Sequence, residues 1–515
     1  MALSVTPPEL WLEVLKTLPR ADLITTYATN RALSRLTRPL LFADLSLPAY
    51  GTDGHPANEL FLPPDEEVQY LRGKLGFWTS PAVAPLVRTC RVFTWRAADK
   101  EEDELGYAED DDETLELLNL LLDSLHVFTN LWQLSFEGVV LHTPALVKIA
   151  ATPALRQLTL RDLSPYGDTK DFVPTAPLPP LTHFAYLEGE DYDEDLLAGW
   201  RHFLDPAHLV SLRLECDLRA FTDSPTVVPI YPRVTFLDLL PPNETVSTSA
   251  VVKLLLKFPN VVYLALPRQF DGLGDDDKDA LRDGITQRLA RVTQLSLPLG
   301  ITAAIVPLAK QLTTLSLNLS TTTVDLASAL TGHVFEGIMT LSLDIAEEEP
   351  DAHVLLPAIA ATFPALARLR IDISAVVIPE QKTRATVATN FLTVLATPAL
   401  LPPRTTTLVL SWQIDIKGRR WWDPVEYATH VKIDFRAALD AILSAYPRLH
   451  HFWFHGASFF VSTRRTADGE VLRQQSVELD ARESLDADTG PETARIEVER
   501  MKAEATKFWE ENRCA

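Results

Sequence analysis

An apolar triple with the spacing x, x+3, x+5 recurs along most of this 515-residue chain and constrains the fold more than any other feature. The alternation within each triple predicts a short strand with one buried face. Successive triples are mostly about 20 to 31 residues apart, a spacing typical of a repeat array. The clear copies begin at Leu131, Leu155, Leu181, Leu209, Val234, Val261, Val292, Leu312, Ile338, Leu366, Thr405 and Leu449, with a degenerate copy at Val87.

Stretches with helical patterning lie between several of the triples, so a repeat predicts one strand and one helix. Phe-Pro or Tyr-Pro pairs at Phe258, Phe363 and Tyr446 mark the return to the strand, because proline ends the helix and the aromatic ring covers the core. Each unit can bury its apolar faces only against its neighbours, which predicts an α/β solenoid. The predicted helices are 250–257, 277–289, 303–310, 352–362, 386–396 and 435–445.

These repeats resemble leucine-rich repeats, a family whose solenoids form a horseshoe. Many members carry Asn or Cys eight residues after the first leucine, and none of the twelve clear copies does. We therefore expect a solenoid without an asparagine ladder. After residue 456 the pattern changes: 458–463 and 470–479 predict a hairpin through Asp468-Gly469, and 491–512 predicts a charged helix. A hairpin and a helix together predict a cap on the open end of the solenoid.

The first 47 residues are patterned differently, as three short helices. Thr6 and Glu9 have the spacing of a capping box, and Pro7 and Pro8 fall in the first turn, where a missing N–H costs nothing. Pro19 is expected to end the first helix, and 21–28 and 31–42 predict the other two. Three such helices bury little of their own apolar surface. Either the rest of the chain covers that surface, or another protein does.

This segment resembles an F-box, the element by which substrate receptors attach to the Skp-type adaptor of cullin–RING ubiquitin ligases. The alternative is an ordinary N-terminal helical cap on a larger domain. The matching residues are Pro7-Pro8-Glu9-Leu10, Val14-Leu15, Leu18-Pro19, Asp22-Leu23, Leu33, Leu36 and Leu40-Leu41-Phe42. The resemblance implies that the adaptor contacts are Pro7, Pro8, Leu10, Val14, Leu15, Leu18, Pro19 and Leu23.

Charge and cysteine content limit the environment and the partners. The formal net charge of −23, from 70 acidic and 47 basic residues, makes nucleic acid an unfavourable partner. Cys90, Cys216 and Cys514 form neither a disulfide framework nor a CxxC metal pair, which suits the reducing cytoplasm and/or nucleus. The N-terminus lacks the pattern of a signal peptide. No window approaches the roughly 18 apolar residues of a membrane span, so no membrane association is expected.

The sequence contains no recognisable catalytic motif, and we expect a protein that is not an enzyme and has no cofactor or metal. The serine-hydrolase elbow, the zinc-protease helix, the Walker A loop and the dinucleotide fingerprint are all missing. Binding is better indicated, because strand residues between the apolar positions point to the concave side. The target-binding candidates are Arg368, Arg370, His451, Trp453 and His455, with Trp412 and 419–422 from the same end. Packing of the tryptophans under the long insertion is the alternative.

The chain therefore divides into an F-box-like helical hook (1–47), a connector (48–86), a leucine-rich-repeat solenoid (87–456) and a C-terminal cap of hairpin plus helix (457–515). Hook plus solenoid resembles the F-box/leucine-rich-repeat substrate receptors. The resemblance implies a non-catalytic subunit that binds a Skp-type adaptor, through it a cullin, and an unidentified target protein. A leucine-rich-repeat interaction scaffold outside any ligase is the second interpretation.

Overall fold

The structure is a computed structural model, and backbone contacts divide it into two compact units. The first comprises Met1–Glu244 with Lys253–Asn260, and the second comprises Thr245–Val252 with Val261–Ala515. The four functional segments inferred from the sequence remain a prediction. The structure describes residues 7–52, 60–61, 65–96, 115–163, 169, 172–175, 177–187, 199–215, 229–239, 253–266, 286, 288–318, 322–347, 350–375, 390–414, 435–455, 459–466 and 471–478.

The first unit begins with the three predicted helices. They are α1 (Pro8–Lys16), α2 (Arg20–Thr29) and α3 (Arg31–Leu41), followed by α4 (Asp65–Trp78), α5 (Glu116–Ser124), α6 (Thr143–Ala150) and 3-10 turns at Ala84–Leu86, Leu125–Val127 and Arg201–Phe203. Two expectations about the helix ends were wrong. Pro7, and not Thr6, is the N-cap residue of α1, and Pro19 is the N-cap of α2, because α1 has already ended at Lys16.

The strands of the first unit form a parallel sheet in chain order. They are β1 (Asp44–Thr52), β2 (Leu60–Phe61), β3 (Thr89–Arg96), β4 (Gln133–Glu137), β5 (Gln157–Arg161), β6 (His183–Leu187), β7 (Ser211–Glu215) and β8 (Phe236–Leu239). β2 pairs antiparallel with β1, and all the other pairings from β1 through β3 to β8 are parallel. The degenerate copy at Val87 is confirmed as a repeat, since β3 pairs on both sides.

Strand β1 was not predicted, although it carries the repeat spacing. Phe42, Leu45 and Leu47 are an x, x+3, x+5 triple, and the last two are buried in register with Cys90 and Val92 of β3. The triple was missed because Phe42 had been assigned to the preceding helix. β1 therefore joins the helical segment directly to the sheet.

The second unit repeats the arrangement and ends in a hairpin. Its strands are β9 (Tyr263–Ala265), β10 (Gln294–Pro298), β11 (Thr314–Asn318), β12 (Thr340–Ile345), β13 (Arg368–Ala375), β14 (Thr407–Ile414), β15 (His451–His455), β16 (Phe459–Arg465) and β17 (Val471–Glu478). β9 to β15 are parallel, and β15–β16–β17 are antiparallel, which confirms the predicted hairpin. The predicted helix 491–512 lies outside the described residues.

The helices of the second unit include α7 (Leu299–Ile305), α8 (Thr323–Leu330), α9 (Ala352–Thr362) and α10 (Phe435–Ala445), with a 3-10 turn at Val306–Leu308. α9 and α10 have the predicted bounds. α8 was not predicted, although Thr322 caps it through its side-chain oxygen. Among the described helices, none is long and apolar enough to cross a membrane.

A common turn precedes the strands of both units. The amide of the first residue of the triple donates to the carbonyl three residues earlier, as from Leu131 to Phe128 (3.0 Å) and from Leu366 to Phe363 (3.1 Å). The residue three positions before the triple is frequently a buried aromatic, including Phe128, Tyr231, Phe258 and Phe363. The role proposed for Phe258 and Phe363 is thus confirmed and extends to copies without proline.

Side chains also link one repeat to the next at a position that the family pattern does not indicate. The side chain of the residue just before a triple donates a hydrogen bond to a backbone carbonyl of the previous repeat. That carbonyl belongs to the residue two positions ahead of the previous triple's first residue. The four bonds are Asn130 Nδ2 to Pro85 O (2.7 Å), Arg233 Nη1 to Ala207 O (2.9 Å), Asn260 Nδ2 to Pro232 O (2.7 Å) and Arg448 Nη1 to Pro403 O (3.4 Å). These links occupy the edge where the chain enters the strands.

Candidate functional site

The N-terminal helices enclose a small core of their own. Leu15 of α1, Leu23 of α2 and Leu41 of α3 are buried together, and Leu18, Leu36, Leu40 and Phe42 pack against them partly buried. Apolar residues on three short helices meet here because α3 contacts both α1 and α2. Two of the predicted adaptor contacts, Leu15 and Leu23, are therefore 2% and 8% exposed and serve the fold of the segment.

The outer side of α1 presents apolar residues to solvent. Leu10 and Val14, one helical turn apart, are 57% and 52% exposed. Pro7 and Pro19 are exposed N-cap residues, and Pro8 is the first residue of α1. Glu13 and Lys16 form an exposed ion pair of 2.7 Å beside them. Of the eight predicted residues, Leu15 and Leu23 are thus buried, Leu18 is partly buried, and Pro7, Leu10, Val14 and Pro19 are exposed; the side chain of Pro8 lies outside the described part of the structure.

Helix α2 adds two exposed apolar residues that the sequence reasoning did not single out. Ile24 is 54% exposed and Tyr27 is 36% exposed, although the neighbouring Leu23 is buried. Their spacing was a usable signal, since residues three apart lie on one helical face. They were missed because the family pattern marks Asp22 and Leu23 only.

The five predicted target-binding residues lie on two strands of the second unit with β14 between them. In the register, Arg368 and His451 flank Thr407, and Arg370 and Trp453 flank Val409. His455 ends β15, opposite Ser411. The prediction that these positions share one face is therefore consistent with the register, because successive parallel strands lie about 4.8 Å apart.

Burial on this face is uneven. Trp453 and Val409 are both 3% exposed, so the indole belongs to the interior and offers no surface to a partner. Arg370 Nε lies 2.7 Å from Asp372 Oδ2, and the side chains are 22% and 15% exposed. Arg368 and His451 are half-buried and border the open part of the face. The side chains of Trp412 and His455, and the whole of 419–422, lie outside the described residues.

The first unit contains a comparable pair that the sequence did not reveal. Arg213 on β7, 40% exposed at its side chain, has its Nε 3.3 Å from Oδ2 of Asp238 on β8, whose side chain is 7% exposed. The nearby strand β6 carries His183, whose pKa is lowered because burial penalises the imidazolium. The buried carboxylate fixes the position of the guanidinium. The exposed part of that guanidinium can donate charge-assisted hydrogen bonds to a partner. Arg213 was missed because a lone charge between two leucines resembles any solvated strand position.

Nothing in the described part of the chain forms a group of three or more His, Cys, Asp or Glu residues that could hold a metal ion. What these surfaces can do chemically is to offer apolar contacts on α1 and α2 and charge-assisted hydrogen bonds on the strands.

Comparison with known proteins adds little to this description. No protein-family model matches the chain, and no curated protein matches it. Among solved structures, an internalin (inlF) from Listeria monocytogenes strain 4b F2365 is similar over 73% of this chain and 96% of its own, with 14% identity and a TM-score of 0.22. A superposition as loose as this carries no argument, so the repeat architecture rests on the strand register of the chain itself.

Proposed function

We propose that this chain is a non-catalytic substrate-recognition subunit of an SCF-type ubiquitin ligase. In this proposal the N-terminal helices bind a Skp-type adaptor and through it a cullin, and the strand faces bind a target protein. Ubiquitin transfer belongs to the other subunits of the ligase, so this chain needs neither a cofactor nor a metal of its own. Such a receptor acts in the cytoplasm and/or the nucleus.

The observation that supports the adaptor site best is the exposure of Leu10 and Val14. These two apolar side chains are more than half exposed on one face of a helix, so together they form an apolar patch that a partner could cover. The same helix buries Leu15 in its own core, so the exposed pair is a consequence of how α1 is oriented. A partner that covers this face would stabilise the complex by roughly 1.5–3 kcal/mol for each side chain that it encloses fully.

The structure sharpens the choice of variants for the experiment. A variant that includes Leu15 would damage the core and lose the adaptor for that reason alone. Leu10→Ala/Val14→Ala changes side chains that are more than half exposed, and Val324→Ala/Val334→Ala is a matched control, because those valines are 58% and 60% exposed elsewhere in the chain. We expect the wild type and the control to co-purify with a Skp-type adaptor, and the double variant to lose it with an unchanged circular-dichroism spectrum.

Retention of the adaptor by the folded Leu10→Ala/Val14→Ala variant would contradict the assignment of the site. No co-purification with the wild type would overturn the ligase proposal altogether. The protein would then be a repeat scaffold in which the N-terminal helices act as a cap, a role that the buried Leu15 and Leu23 also fit. That alternative keeps the strand faces as the binding surfaces.

Arg368 and Arg213 are the residues on which we propose that target binding depends. Both are charged, only partly buried, and held on the strands of their own unit. Quantitative mass spectrometry of proteins that co-purify with the wild type, Arg368→Glu and Arg213→Gln provides the test. We expect each variant to lose a specific protein while it retains the adaptor. Identical sets of partners for the three proteins would contradict this part of the proposal.

A further inference from the structure

Helices α2 and α4 present matching stripes of residues, all of them exposed except the partly buried Lys74. Arg20, Ile24 and Tyr27 are spaced i, i+4, i+7 on α2, and Tyr70, Lys74 and Phe77 have the same spacing on α4. Residues with this spacing lie on one face of a helix. We call these six residues the α2–α4 surface.

Contacts across the two helices place the stripes side by side. The ring of Phe42 lies 6.3 Å from that of Tyr27 and 5.5 Å from that of Phe77, edge-on in both cases. Arg20 is close enough to Lys74 to lower the pKa of its ammonium group, after burial as the larger cause. Arg20 and Lys74 therefore lie side by side, with Tyr27 and Phe77 further along the two helices and Tyr70 on the other side of Lys74.

The apolar part of this surface is unusually open. Tyr70 is 68% exposed, Ile24 54%, Phe77 49% and Tyr27 36%. The opposite face of α4 is closed, since Val68, Leu71, Leu75 and Trp78 are all buried. An apolar patch that flanks a filled core and is rimmed by charge is typical of a protein-binding site.

The two cations define the charge of the occupant. Lys74 Nζ donates to Ser46 O at 2.9 Å, and within the described residues neither Lys74 nor Arg20 has a carboxylate partner. This is unexpected in a chain with 23 more acidic than basic residues, where carboxylates are plentiful. A carboxylate placed between the two groups would relieve their repulsion and form charge-assisted hydrogen bonds with both. An occupant that carries such a group would complement both cations.

We propose that the α2–α4 surface binds an acidic amphipathic helix of a partner protein, with a carboxylate between Arg20 and Lys74 and apolar side chains on Ile24, Tyr27 and Phe77. The occupant follows from the charge complementarity and from the length of the surface, which matches helical anchors at i, i+4 and i+7. This inference does not depend on the proposed function, because neither Leu10 nor Val14 belongs to the surface.

The probe for the test is a pair of fluorescein-labelled peptides of roughly 15 residues, stapled to be helical, with Leu on one face and either Glu or Lys on the flanks. Fluorescence anisotropy with the full-length protein measures their binding. We expect the Leu/Glu peptide to bind and the Leu/Lys peptide not to bind. Raising the salt concentration should weaken the complex, because the exposed charges are screened.

Three variants locate the peptide. Arg20→Glu and Ile24→Ser change only exposed side chains. Each should raise the dissociation constant of the Leu/Glu peptide on the order of tenfold. Val147→Ser, which alters a side chain 50% exposed on α6, should leave binding unchanged. Circular dichroism checks that all three proteins are folded. Leu10→Ala/Val14→Ala should still bind the peptide, which separates this surface from the proposed adaptor site.

Equal binding of both peptides, or an unchanged affinity in Arg20→Glu and Ile24→Ser, would overturn the proposal. So would the loss of a Skp-type adaptor from Ile24→Ser together with no binding of the Leu/Glu peptide, since the surface would then be part of the adaptor site. None of these results bears on whether Leu10 and Val14 contact the adaptor.

Discussion

The repeat strands and the N-terminal helices use similar apolar residues with opposite results. In β12, Leu341 and Leu343 are fully buried, and their equivalents in the neighbouring strands are buried with them. In α1, Leu15 is buried whereas Leu10 and Val14 are more than half exposed. The number of apolar residues does not explain the difference, since both elements are rich in leucine.

What differs is the supply of neighbours. An inner strand has another repeat on both sides, so its apolar side chains always meet their equivalents. Helix α1 makes its main contacts with α3, and the side that carries Leu10 and Val14 stays more than half exposed. Neighbouring repeats therefore cover the apolar side chains of a strand. Helix α1 is not part of a repeat, and part of its apolar surface stays exposed.

The largest expected effect lies in the strands. Leu343→Ala removes buried methyl groups between two packed repeats, and we expect a loss of about 2–5 kcal/mol in the free energy of unfolding. Urea denaturation followed by circular dichroism measures it, with Val324→Ala as the exposed control. A loss below about 1 kcal/mol would show that the repeats close the cavity by shifting, and the comparison with α1 would fail.

Leu15→Ala and Leu10→Ala compare a buried with an exposed leucine within the single helix α1. We expect Leu15→Ala to cost roughly 2 kcal/mol or more, because its side chain lies in the helical core. Leu10→Ala should change stability by about 0.5 kcal/mol or less, because its side chain is exposed. The same urea experiment on both proteins is the test. Equal losses would mean that Leu10 is also packed in solution, which would remove the main support for the adaptor site.

A smaller effect is expected at the links between repeats. Asn130→Ala removes the bond to Pro85 O, and we expect a loss of about 0.5–1.5 kcal/mol in the free energy of unfolding. Asn119→Ala is the control, since Asn119 is exposed on α5 and alanine favours the helix. If the two variants are equally stable, the links do not contribute to the stability of the repeats.

The most subtle prediction concerns the pH dependence of Cys90 on β3. Burial raises the pKa of its thiol from 9.0 to about 12, so the folded protein holds the proton more tightly than the unfolded chain. The resulting stabilisation is complete below pH 9.0 and is lost as the pH rises from 9.0 through about 12. Iodoacetamide labelling at pH 8.5, read by peptide mass spectrometry, should leave Cys90 unmodified until urea unfolds the protein. Rapid labelling without urea would show that β3 opens.

Much of the strand pattern could be predicted from the sequence. The triples that begin at Leu312 and Ile338 became strands with the expected faces buried, because alternation is a local signal and a repeat supplies its own neighbours. β1 was missed although Phe42, Leu45 and Leu47 carry the same spacing, because the end of α3 and the start of the triple share one residue. The helical pattern of α3 and the strand pattern of β1 meet at Phe42, and only the pairing of β1 with β3 shows where the strand begins.

The candidate sites were less predictable, and the physical reason is the same in each case. The sequence by itself determined that α1 has an apolar side and that Arg370, Val409 and Trp453 alternate with buried strand positions. Only the tertiary structure decided that Leu15 faces a core while Leu10 faces solvent, and that Trp453 is enclosed. Helical and strand periodicity define which residues share a face, but burial depends on what other segments bring to that face, and those segments are distant in the chain.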